Sequence, residues 1–219
     1  MPLAQDPGEL IGEIEARVER LPIRNAPALR AIRREYSKGT RSLPPEAIVH
    51  IASGLIARGR VHRFFGDELI AARADALRTL DRAQLEQLGA NLSSWDQVDS
   101  FACYLSGPAW REGQIDDQTI IEWARAENHW WRRAALVSTV PLNVKARGGN
   151  GDIKRTLRVC TLAIDDRDDM IVKALSWALR AVAAHDPEAV RQFLSRNEGR
   201  LAARVRREVR TKLSTGRKN

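Results

Sequence analysis

Cysteine is scarce in this sequence: only Cys103 and Cys160 occur among 219 residues. Two thiols are too few for the disulfide framework of a small secreted protein or for a thiolate zinc site. No uninterrupted apolar run approaches the roughly 18 to 20 residues that a membrane-spanning helix needs. The first twenty residues lack the apolar segment of a signal peptide. We therefore expect a cytoplasmic protein with no membrane partner.

Several catalytic motifs are also missing. The sequence has no GxxxxGK[ST] phosphate loop, no GxGxxG after a strand, no HExxH and no CxxC pair. Its four histidines show no ligand spacing, and both cysteines lie in apolar helical stretches that favour burial over nucleophilic chemistry. These absences exclude the common nucleotide-dependent and zinc-dependent reactions.

Positive charge is concentrated near the C-terminus. The formal net charge is +8, and residues 191–219 hold ten Lys or Arg but only two acidic residues. A basic segment is typical of proteins that bind a polyanion such as nucleic acid, although a solvated helix face has the same composition. We predict a basic C-terminal helix and tail over about 191–219 that anchors phosphates through Arg204, Arg207 and Lys212.

Helical periodicity runs through almost the whole sequence, and alternating strand patterns are nearly absent. Helix starts recur in pairs about every 35–45 residues, as HEAT-like repeats do. We therefore predict an all-α fold: a right-handed αα superhelix with a concave DNA-binding surface, forming a single domain over residues 1–219. A helical bundle without repeats is the alternative. The predicted helices lie at about 10–21, 27–38, 45–55, 61–78, 81–89, 94–106, 116–127, 129–142, 151–164, 168–185 and 186–213.

Trp95 and Asp99 lie four residues apart in the stretch NLSSWDQVDSF. On a helix capped by Ser93 or Ser94, this spacing places both on one face. A tryptophan ring beside a carboxylate can receive a cationic or electron-poor group. The alternative is a core tryptophan beside an ion-paired aspartate.

Two further stretches combine tryptophan with basic residues. In NHWWRRAA, tryptophans precede Arg132 and Arg133, which suits phosphate binding but equally suits a packed core with solvated arginines. In KALSWALR, Lys173, Trp177 and Arg180 form a stripe that is usually half-buried packing. Because alternate helices of a solenoid line one surface, these helices and the Trp95 helix can share a concave wall.

The three stretches resemble, in order, the signatures "sWDxvD", "WxRRxA" and "KAxxWxLR" of the AlkD-like DNA alkylation repair family, which are HEAT-like DNA glycosylases. The resemblance covers roughly residues 27–190. It implies that Asp99 is the catalytic carboxylate, that Trp95 and Trp177 flank the damaged nucleotide, and that Arg133 holds a backbone phosphate. Lys173 and Arg180 belong to the third signature and are predicted to contact DNA.

The resemblance implies excision of positively charged alkylated purines, such as 7-methylguanine and 3-methyladenine, from double-stranded DNA. Alkylation already makes the base a good leaving group, so the scheme requires no metal and no organic cofactor. We expect a monomer associated with the nucleoid. One alternative is a non-catalytic HEAT-like module that binds damaged or branched DNA, and another is a scaffold that binds protein.

Overall fold

The computed structural model describes residues 6–217, apart from the side chain of Arg60. Every regular element in this range is helical, so the all-α prediction is confirmed for the described residues. No helix in this part of the chain combines the length and the apolar character needed to cross a bilayer. The chain divides into two compact units, Met1–Asn91 (unit 1) and Leu92–Asn219 (unit 2). The single domain and the superhelix stay predictions.

Unit 1 is built on apolar helix faces. Its helices are α1 (Pro7–Glu19), α2 (Ala26–Gly39), α3 (Pro45–Ile56), α4 (Arg60–Ala71), α5 (Ala74–Arg78) and α6 (Arg82–Gly89). Leu10, Ile14 and Val18 recur at helical spacing in α1 and are fully buried. Tyr36 of α2 is also fully buried, and its hydroxyl donates a hydrogen bond of 2.8 Å to Glu13. This core anchors α2 against α1.

Unit 2 contains the remaining helices. They are α7 (Trp95–Phe101), a π-helical turn (Ala102–Ser106), α8 (Gly107–Arg111), α9 (Asp117–Ala124), α10 (His129–Ser138), α11 (Val140–Asn143), a 3₁₀ turn (Lys145–Arg147), α12 (Ile153–Leu162), α13 (Asp169–Val182), α14 (Pro187–Arg196) and α15 (Ala203–Thr215). Helices α10 and α13 are central, since α10 packs on α7, α9 and α13, and α13 also packs on α12 and α15.

Three predicted helices are interrupted. The helix expected over 61–78 breaks after Ala71, where Arg73 donates hydrogen bonds to the carbonyls of Thr40 and Leu43. The helix expected over 129–142 breaks at Thr139, and Pro141 then stands in the first turn of α11. The helix expected over 186–213 is two helices separated by a turn over 197–202. Long-range hydrogen bonds and local turns therefore override a continuous helical pattern.

The C-terminal basic segment is part of the packed structure rather than a loose tail. Val205 and Val209 of α15 are fully buried, and α15 packs on α13. The charged residues of α15 are therefore fixed in direction by the buried valines. Lys218, one of the ten basic residues counted above, lies outside the described residues.

Candidate active site

One pocket in unit 2 collects most of the predicted site residues. Its volume is about 450 Å³, and it lies among α7, α10, α13 and α15. Its lining consists of Trp95, Asp99, Arg133, Met170, Lys173, Trp177, Arg180, Arg204 and Glu208. The structure thus brings together the four residues predicted to be catalytic, one of which (Arg133) was also predicted to bind DNA, and three further residues predicted to bind DNA.

Asp99 and Arg133 form a bidentate ion pair inside this pocket. Arg133 Nε donates to Asp99 Oδ1 and Nη2 donates to Oδ2, each at 3.0 Å. The remaining terminal nitrogen of Arg133 donates to the carbonyl of Met170 at 2.5 Å. The Arg133 side chain is only 5% exposed and the Asp99 side chain 19%. One arginine therefore connects α7, α10 and α13, and it holds the carboxylate in a fixed orientation.

Opposing effects act on the ionisation of Asp99. Burial raises the pKa of its carboxyl and is the largest influence, whereas the charge and hydrogen bonds of Arg133 lower it. The net result is a pKa above the ordinary value of 3.8. A carboxylate with little water around it interacts more strongly with nearby positive charge than a solvated one does. Asp99 is therefore suited to stabilise a cation that enters the pocket.

The chain around α7 is shaped by a close helix contact. The π-helical turn follows α7 directly and leads into Gly107, where a Cβ would lie 2.7 Å from the carbonyl oxygens of Ala102 and Ser138. Only glycine permits this approach between α8 and α10. π-Helical turns are frequent at functional sites. The close contact at Gly107 thus brings the start of α8 against the end of α10.

The predicted serine cap of α7 takes a different form. Ser94 stands at the cap position, but its hydroxyl makes no cap hydrogen bond. Instead, Gln97 Oε1 accepts hydrogen bonds from the backbone N–H and the hydroxyl of Ser93, at 2.9 and 3.1 Å. The helix still begins at Trp95, so the predicted spacing of Trp95 and Asp99 is kept.

The tryptophans of unit 2 differ in exposure. Trp123 is buried, and the half-buried Trp131 packs against it with ring centroids 4.7 Å apart. Of the two tryptophans that line the pocket, Trp95 is 52% exposed and Trp177 is half-buried. An exposed tryptophan ring loses the benefit of burial, so its presence at a pocket indicates a surface available for ligand contact. The aromatic walls of the pocket are therefore Trp95 and Trp177.

The pocket cations on α13 and α15, namely Lys173, Arg180 and Arg204, all have carboxylate partners. Arg180 donates to Glu208 Oε2 at 2.6 Å, and Arg204 Nε donates to Glu208 Oε1 at 2.8 Å. Lys173 lies 2.6 Å from Asp169 Oδ2, and Arg204 also contacts Asp169 Oδ1 at 3.0 Å. Glu208 and Asp169 were not predicted from the sequence, where Glu208 is only an acidic residue in a basic segment. Its position four residues after Arg204 is the signal that could have identified it.

Arg207 and Lys212 do not line this pocket. Arg207 lines a separate groove on α15, together with Arg206, Arg210 and Ser214. Lys212 is absent from both linings, and its ammonium group donates to the carbonyl of Gly216 at 2.6 Å. Arg204, Arg207 and Lys212 thus do not line a single pocket or groove. Their DNA contacts stay predictions.

Within the described residues, one group of side chains has the composition of a metal site. Glu15, Glu19 and His62 bring their ligand atoms within 4.8 Å of one another. They belong to unit 1, whereas every pocket residue belongs to unit 2, and Glu15 is ion-paired with Arg58. The free thiol of Cys103 is buried, and burial raises its pKa to about 12, so it is not a nucleophile at neutral pH.

The fold and the pocket define an all-helical protein with a buried carboxylate–arginine pair between two tryptophans. A family model described as DNA alkylation repair enzyme matches residues 24–213. The chain therefore belongs to the DNA alkylation repair enzyme family, as the three sequence signatures indicated. A comparison with curated protein sequences found no match.

Proposed function

We propose that this enzyme is a DNA glycosylase that removes positively charged alkylated purines, such as 7-methylguanine and 3-methyladenine, from duplex DNA. The observation that carries the proposal is the pocket itself. A poorly solvated carboxylate, Asp99, lies in a pocket with two tryptophan walls, Trp95 and Trp177. This combination suits a cationic nucleoside better than a neutral or anionic ligand.

Asp99 supplies the catalytic charge in this proposal. The bond between the purine nitrogen and C1′ breaks, and its electron pair leaves with the purine, which becomes neutral. Positive charge then develops on the sugar, and the Asp99 carboxylate stabilises it because it is already oriented before the reaction begins. A water molecule attacks C1′, and Asp99 accepts the proton that this water loses.

Arg133 positions the catalytic carboxylate. Each of the three nitrogens of its guanidinium already donates a hydrogen bond: two of them donate to Asp99 and one donates to the carbonyl of Met170. Any contact of Arg133 with a backbone phosphate would use the remaining N–H groups of its terminal nitrogens. We propose that its main effect is to hold Asp99 against rotation, so that little reorganisation is needed in the transition state.

The remaining parts of the proposal concern the setting of the reaction. Lys173 and Arg204, at the exposed edge of the pocket, would contact the DNA backbone beside the lesion, which positions the duplex without reading its sequence. We propose that the enzyme acts as a monomer in the cytoplasm, at the nucleoid. No cofactor takes part in the steps above.

The test is base release by the Asp99→Asn variant. Duplex DNA carrying 7-methylguanine or 3-methyladenine is incubated with wild type and variant, and free methylpurine is quantified after subtraction of spontaneous loss. We expect Asp99→Asn to lower the rate at least a hundredfold while DNA binding changes little, because the amide keeps the shape but lacks the charge. Asp96→Asn is the matched control, since it removes the same charge from the same helix.

The pH dependence gives a second readout of the same residue. Because Asp99 acts as the anion and its pKa is raised, the release rate should fall on acidification with a midpoint above pH 3.8. This acidic limb should be missing in Asp99→Asn. Wild-type protein that releases no methylpurine, yet binds branched or damaged duplexes, would favour the non-catalytic module instead.

A further inference from the structure

The cations of the pocket fall into two classes by the burial of their carboxylate partners. The Arg133–Asp99 pair and the Arg180–Glu208 pair are enclosed, with side chains 5% to 19% exposed. Breaking either pair leaves a charge buried without compensation, so both pairs are permanent parts of the structure. An incoming anion cannot take the place of Asp99 or Glu208 without this penalty.

Asp169 is the exception among the carboxylates around the pocket. Its side chain is 58% exposed, and those of its partners Lys173 and Arg204 are 39% and 40% exposed. Exposed ion pairs contribute little net stability because water solvates the separated charges nearly as well. The side-chain hydrogen bond from Lys173 lowers the pKa of Asp169, so it is an anion at neutral pH. Another anion can therefore displace the Asp169 carboxylate from its two cations at little cost in stability.

The two cations converge on Asp169 from different helices. Lys173 of α13 lies 2.6 Å from Oδ2, and Arg204 of α15 lies 3.0 Å from Oδ1. Like a carboxylate, a phosphodiester presents two oxygens that share one negative charge, so the same two cations can bind a phosphodiester. Arg204 stays in place when Asp169 leaves, because its Nε remains bonded to Glu208. Trp177 lies one helical turn beyond Lys173, on the same face of α13.

We propose that Lys173 and Arg204 form a binding subsite for a DNA backbone phosphate, and that the Asp169 carboxylate occupies this subsite until the phosphate displaces it. The proposal rests on the proposed function, since it places the phosphate beside the nucleotide whose glycosidic bond is cleaved at Asp99. Asp169 competes with every backbone phosphate alike. It thereby weakens the binding of undamaged duplex and leaves the tryptophan pocket to provide the preference for cationic lesions.

The experiment measures affinity for an unmodified, fluorescently labelled duplex by anisotropy at a series of salt concentrations. Asp169→Asn should bind about three- to tenfold more tightly than wild type at about 0.1 M salt, and its logarithmic salt dependence should steepen by roughly one. Asp165→Asn is the matched control. Asp165 is similarly exposed, but its partner Arg200, unlike Lys173 and Arg204, does not line the pocket. Its loss changes the net charge equally.

Further variants test whether the gain in duplex affinity comes from the Lys173–Arg204 subsite. Adding Lys173→Gln and Arg204→Gln to Asp169→Asn should abolish the gain in affinity. Asp169→Ser, which keeps a polar group at the start of α13, should reproduce it if the asparagine variant folds poorly. The proposal is overturned if Asp169→Asn binds no more tightly than Asp165→Asn, if the gain survives the loss of both cations, or if no variant binds duplex.

These outcomes separate the subsite from the glycosylase reaction, because the probe contains no lesion and no base is released. A protein with the Asp169→Asn gain but no methylpurine release supports the subsite and refutes the glycosylase. A protein that releases methylpurine but shows no gain refutes only the subsite.

Discussion

Glu208 joins α15 to α13, and its replacement by glutamine should destabilise unit 2 in a pH-dependent manner. Its carboxylate accepts hydrogen bonds from Ser176, Arg180 and Arg204 at 2.6 to 2.8 Å. Burial raises the pKa of Glu208, but these three hydrogen bonds outweigh burial and lower the pKa from 4.5 to about 2. The folded structure therefore stabilises the ionised form of Glu208 relative to its protonated form.

The magnitude follows from this shift. The fall in the pKa of Glu208 from 4.5 to about 2 corresponds to about 3 kcal/mol of folding stability, since each pKa unit is worth about 1.4 kcal/mol. Removal of one member of a buried ion pair independently costs roughly 3 to 5 kcal/mol. Because the folded pKa is lowered, the stabilisation is present in full above the unfolded pKa of about 4.5 and is lost as pH falls toward 2. At pH 3, about 1.4 kcal/mol should remain.

Urea unfolding followed by tryptophan fluorescence measures this effect, because all six tryptophans lie between residues 95 and 177, within unit 2. Glu208→Gln should be less stable than wild type by about 3 kcal/mol at pH 7 and by about half of that at pH 3. Glu198→Gln is the control, since Glu198 pairs with Arg210 but both side chains are more than half exposed. A difference that does not change with pH, or one no larger than that of the control, would refute the reasoning.

Two other predictions concern packing and the pocket wall. Gly107→Ala should lower the free energy of unfolding by about 1 to 3 kcal/mol, because its Cβ would lie within 2.8 Å of two carbonyl oxygens and a proline ring. Gly12→Ala has open space around it and should stabilise α1 by up to about 1 kcal/mol. Denaturant unfolding measures both variants, and a Gly107→Ala variant as stable as wild type would contradict the close contact. Trp95→Ala should lower methylpurine release while costing less than about 1 kcal/mol of stability, because its ring is 52% exposed. Trp131→Ala, which removes a half-buried ring packed on Phe101 and Trp123, should cost about 3 kcal/mol. Equal destabilisation by both would show that Trp95 is a packing residue.

The sequence was sufficient to predict the helical class and the residues of one pocket wall, because both depend on local spacing. Trp95 and Asp99 share a face at a spacing of four residues, and three motifs in a fixed order indicated the family. The pairing of charges could not be predicted in the same way. Arg180 and Glu208 are 28 residues apart, and Arg204 and Asp169 are 35 apart, so only the folded chain brings them into contact.

Helix ends were less predictable for a related reason. The break between α4 and α5 contains no proline or glycine, and its cause is the contact of Arg73 with carbonyl groups 33 and 30 residues earlier. The direction of each arginine on α15 likewise follows from the burial of Val205 and Val209. The basic composition of that segment indicated an anion-binding function, but it did not distinguish Arg204, in the pocket, from Arg207, outside it.

The distribution of the pocket residues along the chain has a consequence for synthesis. Asp99, its partner Arg133 and the backbone of Met170 are separated by more than 30 residues at each step, and Glu208 comes later still. A nascent chain on the ribosome therefore has no complete pocket until the codons for α15 have been translated. Truncated products that end before α15 lack Arg204 and Glu208 of the pocket lining and the two buried valines that pack α15 in place.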